Sequence, residues 1–310
     1  MDKKEFRTLV SEEKLVERFS EIYKYDPEKV THFKDGNENY TFLTEQNRVI
    51  RIYKPTNKLY KEIKKEINYL NYLNNKKVKV PKFLKSPKNK FVTRVEAGRY
   101  TFRAVQMSFL EGSHKRDLNL EELKSIGAEL ANFHRTSEKY KIFQSDEEEI
   151  RVFEDYYLEE DKIKEEDMDF YIRARDFNLK LGTDLKRIMI HGDFHPENIL
   201  LKDHKVTGIL DFDDMEVTTK VLDIAIFIWE LFENAFGSEN PLEKWNIDKE
   251  SFLSSYLQET ELSKEENDLI LPLVNYRNYF IALWSNRIMN MNKEYDFEYF
   301  KKTEKLLNNI

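Results

Sequence analysis

Apolar and polar residues alternate over three stretches in the first third of the chain. These stretches are THFKDGNENYTFLTEQ, RVIRIYK and FVTRVEAGRYTFRAVQMSFL, with Asp-Gly or Ala-Gly pairs at the turns. Alternation with a period of two is typical of strands that bury one face. Between the second and third stretches, apolar residues recur at helical spacing: Leu59, Ile63, Ile67, Leu70 and Leu73. This part of the chain is therefore predicted to be mostly sheet plus one helix.

The helical period dominates from Asn119 onward. Four apolar residues lie on one face of EELKSIGAELANFH, namely Leu123, Ile126, Leu130 and Phe133, and the last eighty or so residues repeat that kind of pattern. The exception is 187–212, where RIMIHGDF, NILLKD and VTGILDF are predicted to be short buried strands around turns. The polar run HGDFHPEN therefore lies on a loop between strands.

Composition narrows the class of protein. The chain has 310 residues, of which 14% are aromatic, too many for a disordered tail. It has no cysteine, which excludes disulfides and thiolate metal sites. The start, MDKKEFRTLVSEEKLVERF, is predicted to be a charged amphipathic helix rather than a signal sequence, and the most apolar run, VLDIAIFIW, is too short to span a bilayer. We expect a cytoplasmic protein without a membrane partner.

Charge is distributed unevenly. Residues 1–110 contain 25 Lys or Arg against 14 Asp or Glu, whereas the rest contains 26 against 44. A basic front part suits a polyanion such as a nucleotide, and an acidic remainder suits a cationic partner. Solvated surfaces that merely differ in charge remain an alternative for either part.

The polar loop carries groups suited to phosphoryl transfer. A hydroxyl that attacks a phosphoryl group needs a carboxylate to orient it and take its proton, and the magnesium that neutralises the phosphates needs oxygen ligands. Asp193, Asn198 and the later Asp211 of ILDFDD supply that set. A zinc site at His191 and His195 is the alternative, but Gly192 and Pro196 disfavour the helix that such spacing needs.

These residues resemble the catalytic loop H-x-D-x-x-x-x-N and the following D-F-x segment of the protein-kinase-like fold. The sequence motif HGDxHxxN, the DFD and the DIA segment at 223–225 are similar to those of the aminoglycoside phosphotransferase and choline kinase superfamily. The resemblance spans roughly Gly36 to Phe227. It implies an α+β fold of two lobes, with an antiparallel-sheet N-lobe containing one main helix and a mostly helical C-lobe. The expected limits are 1–107 for the nucleotide-binding lobe, 108–112 for the hinge and 113–310 for the catalytic and substrate-binding lobe.

The resemblance also implies roles for residues around the loop. Asp193 is the expected catalytic base, and His191 braces the loop from within. Asn198 and Asp211 are the expected magnesium ligands, with Asp213 assisting at a second metal. Asp223 is expected to bind the loop backbone, and His195 to stabilise the loop or face the substrate.

In the N-lobe, the resemblance implies a cation on RVIRIYK that reaches the ATP phosphates. Arg51 matches the usual lysine, with Glu66 as its partner and Lys54 as the fallback; a plain surface ion pair is the alternative. The turn around Gly36 and Asn37 could bind phosphates through its amides, or be an ordinary hairpin.

The segment VQMSFLEG is expected to be the hinge. Met107 would flank the adenine, and the backbone of Ser108, Phe109 and Leu110 would bind it; an edge strand entering a loop predicts the same local pattern. The choice between ATP and GTP as the donor stays open at this point.

The substrate site is expected in the helical lobe. Acidic residues at 145–161 and 213–216, including Asp214 and Glu216, and the aromatic Trp229 and Trp284 suit an ammonium group. Core packing is the alternative for each tryptophan. The predicted function is a small-molecule kinase that phosphorylates a hydroxyl of an amine-bearing acceptor such as an aminoglycoside, choline or homoserine, with no nucleic-acid partner. A protein Ser/Thr kinase-like stress regulator and a pseudokinase scaffold are the alternatives; the short gap from Asp211 to Asp223 leaves no room for an activation loop.

Overall fold

A computed structural model describes residues 10–33, 39–53, 59–141, 158–176, 185–289 and 295–309. The chain divides into two compact units. The first, called here the sheet unit, is Met1–Gly112 with Thr207–Leu210. The second, the helical unit, is Ser113–Val206 with Asp211–Ile310.

The sheet unit is built on one antiparallel sheet. Its strands are β1 (Thr31–Phe33), β2 (Asn39–Leu43), β3 (Arg48–Tyr53), β4 (Phe83–Leu84), β5 (Val92–Ala97) and β6 (Tyr100–Ser108). The order is β1-β2-β3-β6-β4, and β5 also pairs with β6. Gly98 turns the β5–β6 hairpin with a φ of 63°, which glycine adopts without strain. The predicted antiparallel sheet is confirmed, whereas β4 was missed because its two residues are too few to show a period.

Two helices accompany this sheet, α1 (Glu12–Tyr23) and α2 (Tyr60–Asn75). Because side chains alternate along β3, Ile50 and Ile52 join the core that includes Phe19 of α1. Arg51 and Tyr53 take the other side of the strand, where both contact Glu66 of α2. The period of two in RVIRIYK therefore separates a core face from a polar face.

The remaining α-helices of the described residues lie in the helical unit. They are α3 (Leu120–Ser137), α4 (Met168–Asp176), α5 (Val221–Ala235), α6 (Pro241–Glu259), α7 (Lys264–Asp268), α8 (Ile270–Met289) and α9 (Glu298–Leu307). Helix α3 starts at a capping box, in which the Asn119 side chain accepts from the Glu122 amide at 3.0 Å and Glu122 accepts from the Asn119 amide at 2.8 Å. Helix α5 is apolar around most of its circumference and is almost wholly buried.

Helices α3 and α6 approach each other closely at Gly127. A Cβ atom at this position would lie 2.3 Å from the backbone oxygen of Phe252. Only glycine allows the two backbones to come this near. The apolar face predicted on α3 is confirmed, since Leu123, Ile126 and Leu130 are all fully buried.

Four short strands lie in the second half of the chain. They are β7 (Arg187–Ile190), β8 (Ile199–Lys202), β9 (Lys205–Ile209) and β10 (Glu216–Thr219). Strands β7 and β10 pair antiparallel, and β8 and β9 form a hairpin. The strands predicted at 187–212 are confirmed. Within the described part of the chain, no helix has the length and apolar character needed to cross a membrane.

Candidate active site

The segment after β7 is shaped by a close backbone crossing. The chain leaves β7 at Ile190, runs through His191–His195 and forms a 3-10 turn at Pro196–Asn198 before β8. Gly192 has a φ of 82°, and a Cβ atom there would lie 2.0 Å from the backbone oxygen of Asp214. Glycine is therefore required on both conformational and steric grounds.

Asp223 accepts hydrogen bonds from the backbone of this loop. It lies in the first turn of α5 and is fully buried. Its carboxylate accepts the backbone N–H groups of His191 and Gly192, both at 2.9 Å, and lies 3.1 Å from Nε2 of the buried His134. His134 in turn contacts the Tyr256 hydroxyl at 2.9 Å. This network gives a buried carboxylate the partners that it needs.

His191 is enclosed within the loop. Its side chain is fully buried, with the ring centroid 4.6 Å from that of Phe212. Its Nδ1 accepts the backbone N–H of Asp193 at 3.2 Å. The ring thus connects the loop to the DFD segment and to the backbone of Asp193.

The carboxylate of Asp193 is held at both oxygens. Arg277 of α8 donates from Nη2 to Oδ1 at 2.8 Å, and His195 lies with Nε2 3.1 Å from Oδ2. The Glu197 amide donates to His195 Nδ1 at 3.3 Å, which leaves Nε2 as the nitrogen that donates to Asp193. The Asp193 side chain is still 27% exposed, so an incoming group can reach it.

These partners set the charge of the loop. Burial would raise the pKa of the Asp193 carboxyl, but the Arg277 charge and the His195 hydrogen bond outweigh it, and the pKa lies well below its ordinary value. Burial would lower the pKa of His195, but the neighbouring Asp193 shifts it upward. Asp193 is therefore an ionised acceptor of hydrogen bonds over the whole physiological pH range.

Asn198 and Asp211 offer the oxygen atoms that a magnesium ion prefers. The Asn198 amide nitrogen donates to the backbone oxygen of Asp193 at 2.9 Å, so its side-chain oxygen is the atom that it can present to a metal. Asp211 is exposed and has a φ of 58°. Asn198 directly precedes β8 and Asp211 follows β9, the two strands of one hairpin. The donor set fits a magnesium ion, which uses one or two protein oxygens together with substrate phosphates.

No three His, Asp or Glu side chains are grouped as a complete metal cage in the described ranges. Asp213 is partly buried and Asp214 is exposed, both in the turn that precedes β10. Glu216 is a buried residue of β10 opposite Ile190. Its burial in the strand makes it a poor candidate for direct contact with a substrate.

The two predicted substrate tryptophans have different surroundings. Trp229 is 4% exposed on α5, and its indole N–H has no hydrogen-bond partner among the residues that the structure describes. Trp284 on α8 is 38% exposed. The core alternative therefore describes the packing of Trp229 but not that of Trp284.

In the sheet unit, Arg51 and Glu66 form an ion pair. Arg51 Nη1 lies 3.2 Å from Glu66 Oε1, and the Tyr53 hydroxyl donates to Glu66 Oε2 at 3.2 Å. The side chain of Glu66 is 1% exposed and that of Arg51 is 14% exposed. The alternative of a surface ion pair is therefore wrong, although the role of the pair in binding phosphate remains a prediction. Lys54, Gly36 and Asn37 lie outside the described residues, as does most of the acidic stretch at 145–161.

The predicted hinge follows β6. Met107 is buried in β6, and the backbone N–H of Ser108 donates to the Lys82 oxygen at 2.9 Å. That N–H is already engaged, so the Ser108 carbonyl is the backbone group left for a purine, and the role of Ser108 remains a prediction. Phe109 and Leu110 are partly buried beyond the end of β6, and their backbone role remains a prediction.

Sequence reasoning missed Arg277 and Glu230. Arg277 Nη2 lies 3.6 Å from Oε1 of Glu230 as well as 2.8 Å from Asp193. Arg277 is the only charged residue of the largely apolar segment LPLVNYRNYFIALW, and Glu230 shares the largely apolar segment VLDIAIFIWELF with Asp223. A charged residue in such a segment is a sequence feature that could have marked both residues. It does not indicate which loop each side chain contacts.

A family model described as the phosphotransferase enzyme family matches residues 29–256. The chain belongs to this family. The matched range includes the loop with Asp193, the DFD segment and Asp223. The resemblance seen in the sequence is confirmed.

Individual relatives agree with this membership. The chain is 28% identical over 177 residues to a homoserine kinase of Rhodopseudomonas palustris (strain BisB5), covering 55% of this chain and 52% of that protein. The match thus spans about half the length of that curated relative.

Among solved structures, an amicoumacin kinase in complex with AMP-PNP and Ca²⁺ has a TM-score of 0.80 at 18% identity, covering 99% of this chain and 94% of that one. A microcompartment-associated aminopropanol kinase has a TM-score of 0.69 at 16% identity, with 94% of each chain covered. The predicted kinase-like fold is confirmed.

Proposed function

We propose that this protein is a small-molecule kinase that moves the γ-phosphate of ATP to a hydroxyl of an amine-bearing acceptor. The observation that carries the proposal is the Asp193 carboxylate, which is ionised, partly exposed and fixed at both oxygens beside Asn198. A hydroxyl that donates to this carboxylate would be oriented for attack on a phosphoryl group.

The reaction needs little more than positioning and charge. A bond forms between the acceptor oxygen and the γ-phosphorus, the bond to the bridging oxygen of ADP breaks, and the hydroxyl proton passes to Asp193. Because the transition state of phosphoryl transfer is loose, the proton leaves late and a strong base is not required. An Asp193 of low pKa suits this task.

We propose that Asn198 and Asp211 hold the magnesium ion, with Asp213 beside it. When bound, magnesium supplies the positive charge that offsets the transferring phosphates. In the sheet unit, Arg51, positioned by Glu66, would contact the donor phosphates, and the backbone after Met107 would bind the base. The sheet unit is thus the proposed nucleotide-binding lobe.

The acceptor class is inferred from two lines of support. The relatives named above include kinases of homoserine and aminopropanol, both of which carry an amine and a hydroxyl. The helical unit also places Glu230 and Glu233 on one face of α5, where burial raises the pKa of both carboxyls. A cationic acceptor would stabilise such carboxylates in their charged form.

The test is ADP release by the purified protein with Mg-ATP and a panel of acceptors: homoserine, 1-amino-2-propanol, ethanolamine, choline, an aminoglycoside and a protein substrate. Asp193→Asn is assayed in parallel, with Asp203→Asn as the matched control in an exposed turn. We expect release that one small amine stimulates, that Asp193→Asn abolishes and that Asp203→Asn retains. Stimulation by the protein substrate alone would overturn the acceptor class, and full turnover by Asp193→Asn would overturn the role of Asp193.

A further inference from the structure

Arg277 occupies an unusual position for a cation. It lies near the middle of α8, between Asn278 and Tyr276 in an apolar stretch, and is 7% exposed. Its Nη2 contacts two carboxylates, Asp193 Oδ1 at 2.8 Å and Glu230 Oε1 at 3.6 Å. The guanidinium carbon also lies 5.4 Å from the ring centroid of Phe280.

This placement is not what stability alone would favour. Removing a guanidinium from water is costly, and a buried ion pair seldom recovers that cost in full. The Arg277 Nε atom is also buried with no hydrogen-bond partner among the described residues. An incompletely satisfied buried arginine is a local conflict of the kind that occurs at functional sites.

The geometry shows what the arginine does for the carboxylate. Arg277 binds Oδ1 and His195 binds Oδ2, so the Asp193 carboxylate is restrained at both ends. Each carboxylate oxygen has two lone-pair directions, and each therefore keeps one for a further donor. The carboxylate can hold an acceptor hydroxyl in a defined direction without releasing either partner.

We propose that Arg277 is a positioning residue that fixes the rotamer of Asp193 for phosphoryl transfer, and that Glu230 anchors Arg277 from α5. The inference rests on the proposed function. Arg277 acts through Asp193, with no contact to the acceptor or the nucleotide. Glu230 keeps the guanidinium in place because it is the second carboxylate within reach of Nη2.

The test separates positioning from folding. Arg277→Met keeps the length and apolar packing of the side chain, and Arg277→Lys keeps the charge. For Arg277→Met we expect a kcat about 100-fold lower per folded protein, with the KM for ATP unchanged, and a thermal midpoint below that of the wild type because Asp193 and Glu230 lose their partner cation. Arg277→Lys should recover part of kcat, since a single amine can still reach Oδ1. Millimolar guanidinium added to Arg277→Met should also raise kcat.

The control is Arg135→Met, which removes an exposed arginine of α3 that pairs with Glu259. It should leave kcat unchanged. If Arg277→Met has wild-type kcat, or if its loss of kcat follows a loss of folded protein and is not reduced by lysine or guanidinium, the positioning role is wrong. If instead the wild-type protein transfers phosphate to no acceptor, the proposed function fails, and this result is seen before any variant is assayed.

Discussion

Asp223 holds Gly192 by a hydrogen bond of 2.9 Å from the glycine amide to Oδ1, across 31 positions of sequence. The other oxygen, Oδ2, accepts the amide of His191 at the same distance. One buried side chain thus fixes two consecutive peptide groups directly before Asp193. The position of the proposed catalytic carboxylate follows from the packing of α5.

Asp223→Asn should destabilise the helical unit. The amide keeps the size of the side chain but replaces one acceptor oxygen by a donor, which would face a backbone N–H. We expect the free energy of unfolding to fall by about 3 kcal/mol, as for a buried hydrogen-bonded charge that loses a partner. Urea unfolding followed by circular dichroism measures this, with Asp203→Asn as the control. Equal midpoints for the two variants would contradict the structural role of Asp223.

Gly192→Ala should disrupt the loop more than any ordinary glycine substitution. The new Cβ would lie 2.0 Å from the backbone oxygen of Asp214, and the positive φ adds strain. We expect loss of phosphoryl transfer together with lower thermal stability. Gly237→Ala is the matched control, because nothing lies within 4 Å of a Cβ built there. A Gly192→Ala protein with unchanged activity would show that the backbones at Gly192 and Asp214 can move apart without cost to the loop.

Local patterns in the sequence predicted the sheet, the main helices and the polar loop, since each depends on residues close together in the chain. The partnership of Arg51 with Glu66 was also accessible, because the family resemblance matches the two residues to a cation on a strand and its carboxylate on the following helix. Arg277 was not accessible in this way: it is 84 positions from Asp193, and only the packing of α8 brings them together. The hydrogen bond from the Ser108 amide to Lys82 could not be predicted either. It depends on the chain beside β4, a strand of two residues that is too short to show a pattern.

Glu66→Gln should weaken nucleotide binding. Glu66 positions Arg51 and accepts from Tyr53, and glutamine keeps the shape but loses the charge that holds the guanidinium. We expect the Kd for ATP to rise about 10-fold, corresponding to one charge-assisted hydrogen bond. Calorimetric titration measures this, with Glu96→Gln on the exposed face of β5 as the control. An unchanged Kd would leave the pair with a purely structural role.

Glu233→Gln should stabilise the protein at high pH relative to low pH. Burial raises the pKa of Glu233 above its value in the unfolded chain, while Tyr299 donates a hydrogen bond to the carboxylate and lowers it in part. The folded protein therefore binds more protons than the unfolded one in this window, and wild-type stability falls as pH rises from 4.5 through the raised pKa. Glutamine removes that dependence. Urea unfolding at pH 4 and pH 8 gives the free energy of unfolding of the variant and of the wild type. The variant should gain stability relative to the wild type between pH 4 and pH 8. An equal difference at both pH values would contradict the raised pKa of Glu233.

Asp211→Asn should remove the contribution of magnesium to nucleotide affinity. Asparagine is the informative replacement, because Asp211 has a φ of 58° and asparagine tolerates the left-handed region better than alanine. Titration of a fluorescent ATP analogue with and without magnesium gives the increment for each protein. We expect magnesium to increase the nucleotide affinity of the wild type and of Asp203→Asn, but not that of Asp211→Asn. Without magnesium, Asp211→Asn should bind the nucleotide at least as tightly as the wild type, because it lacks a negative charge beside the phosphates. Equal increments in all three proteins would mean that Asp211 is not a metal ligand, and the neighbouring Asp213 and Asp214 would then be tested in the same way.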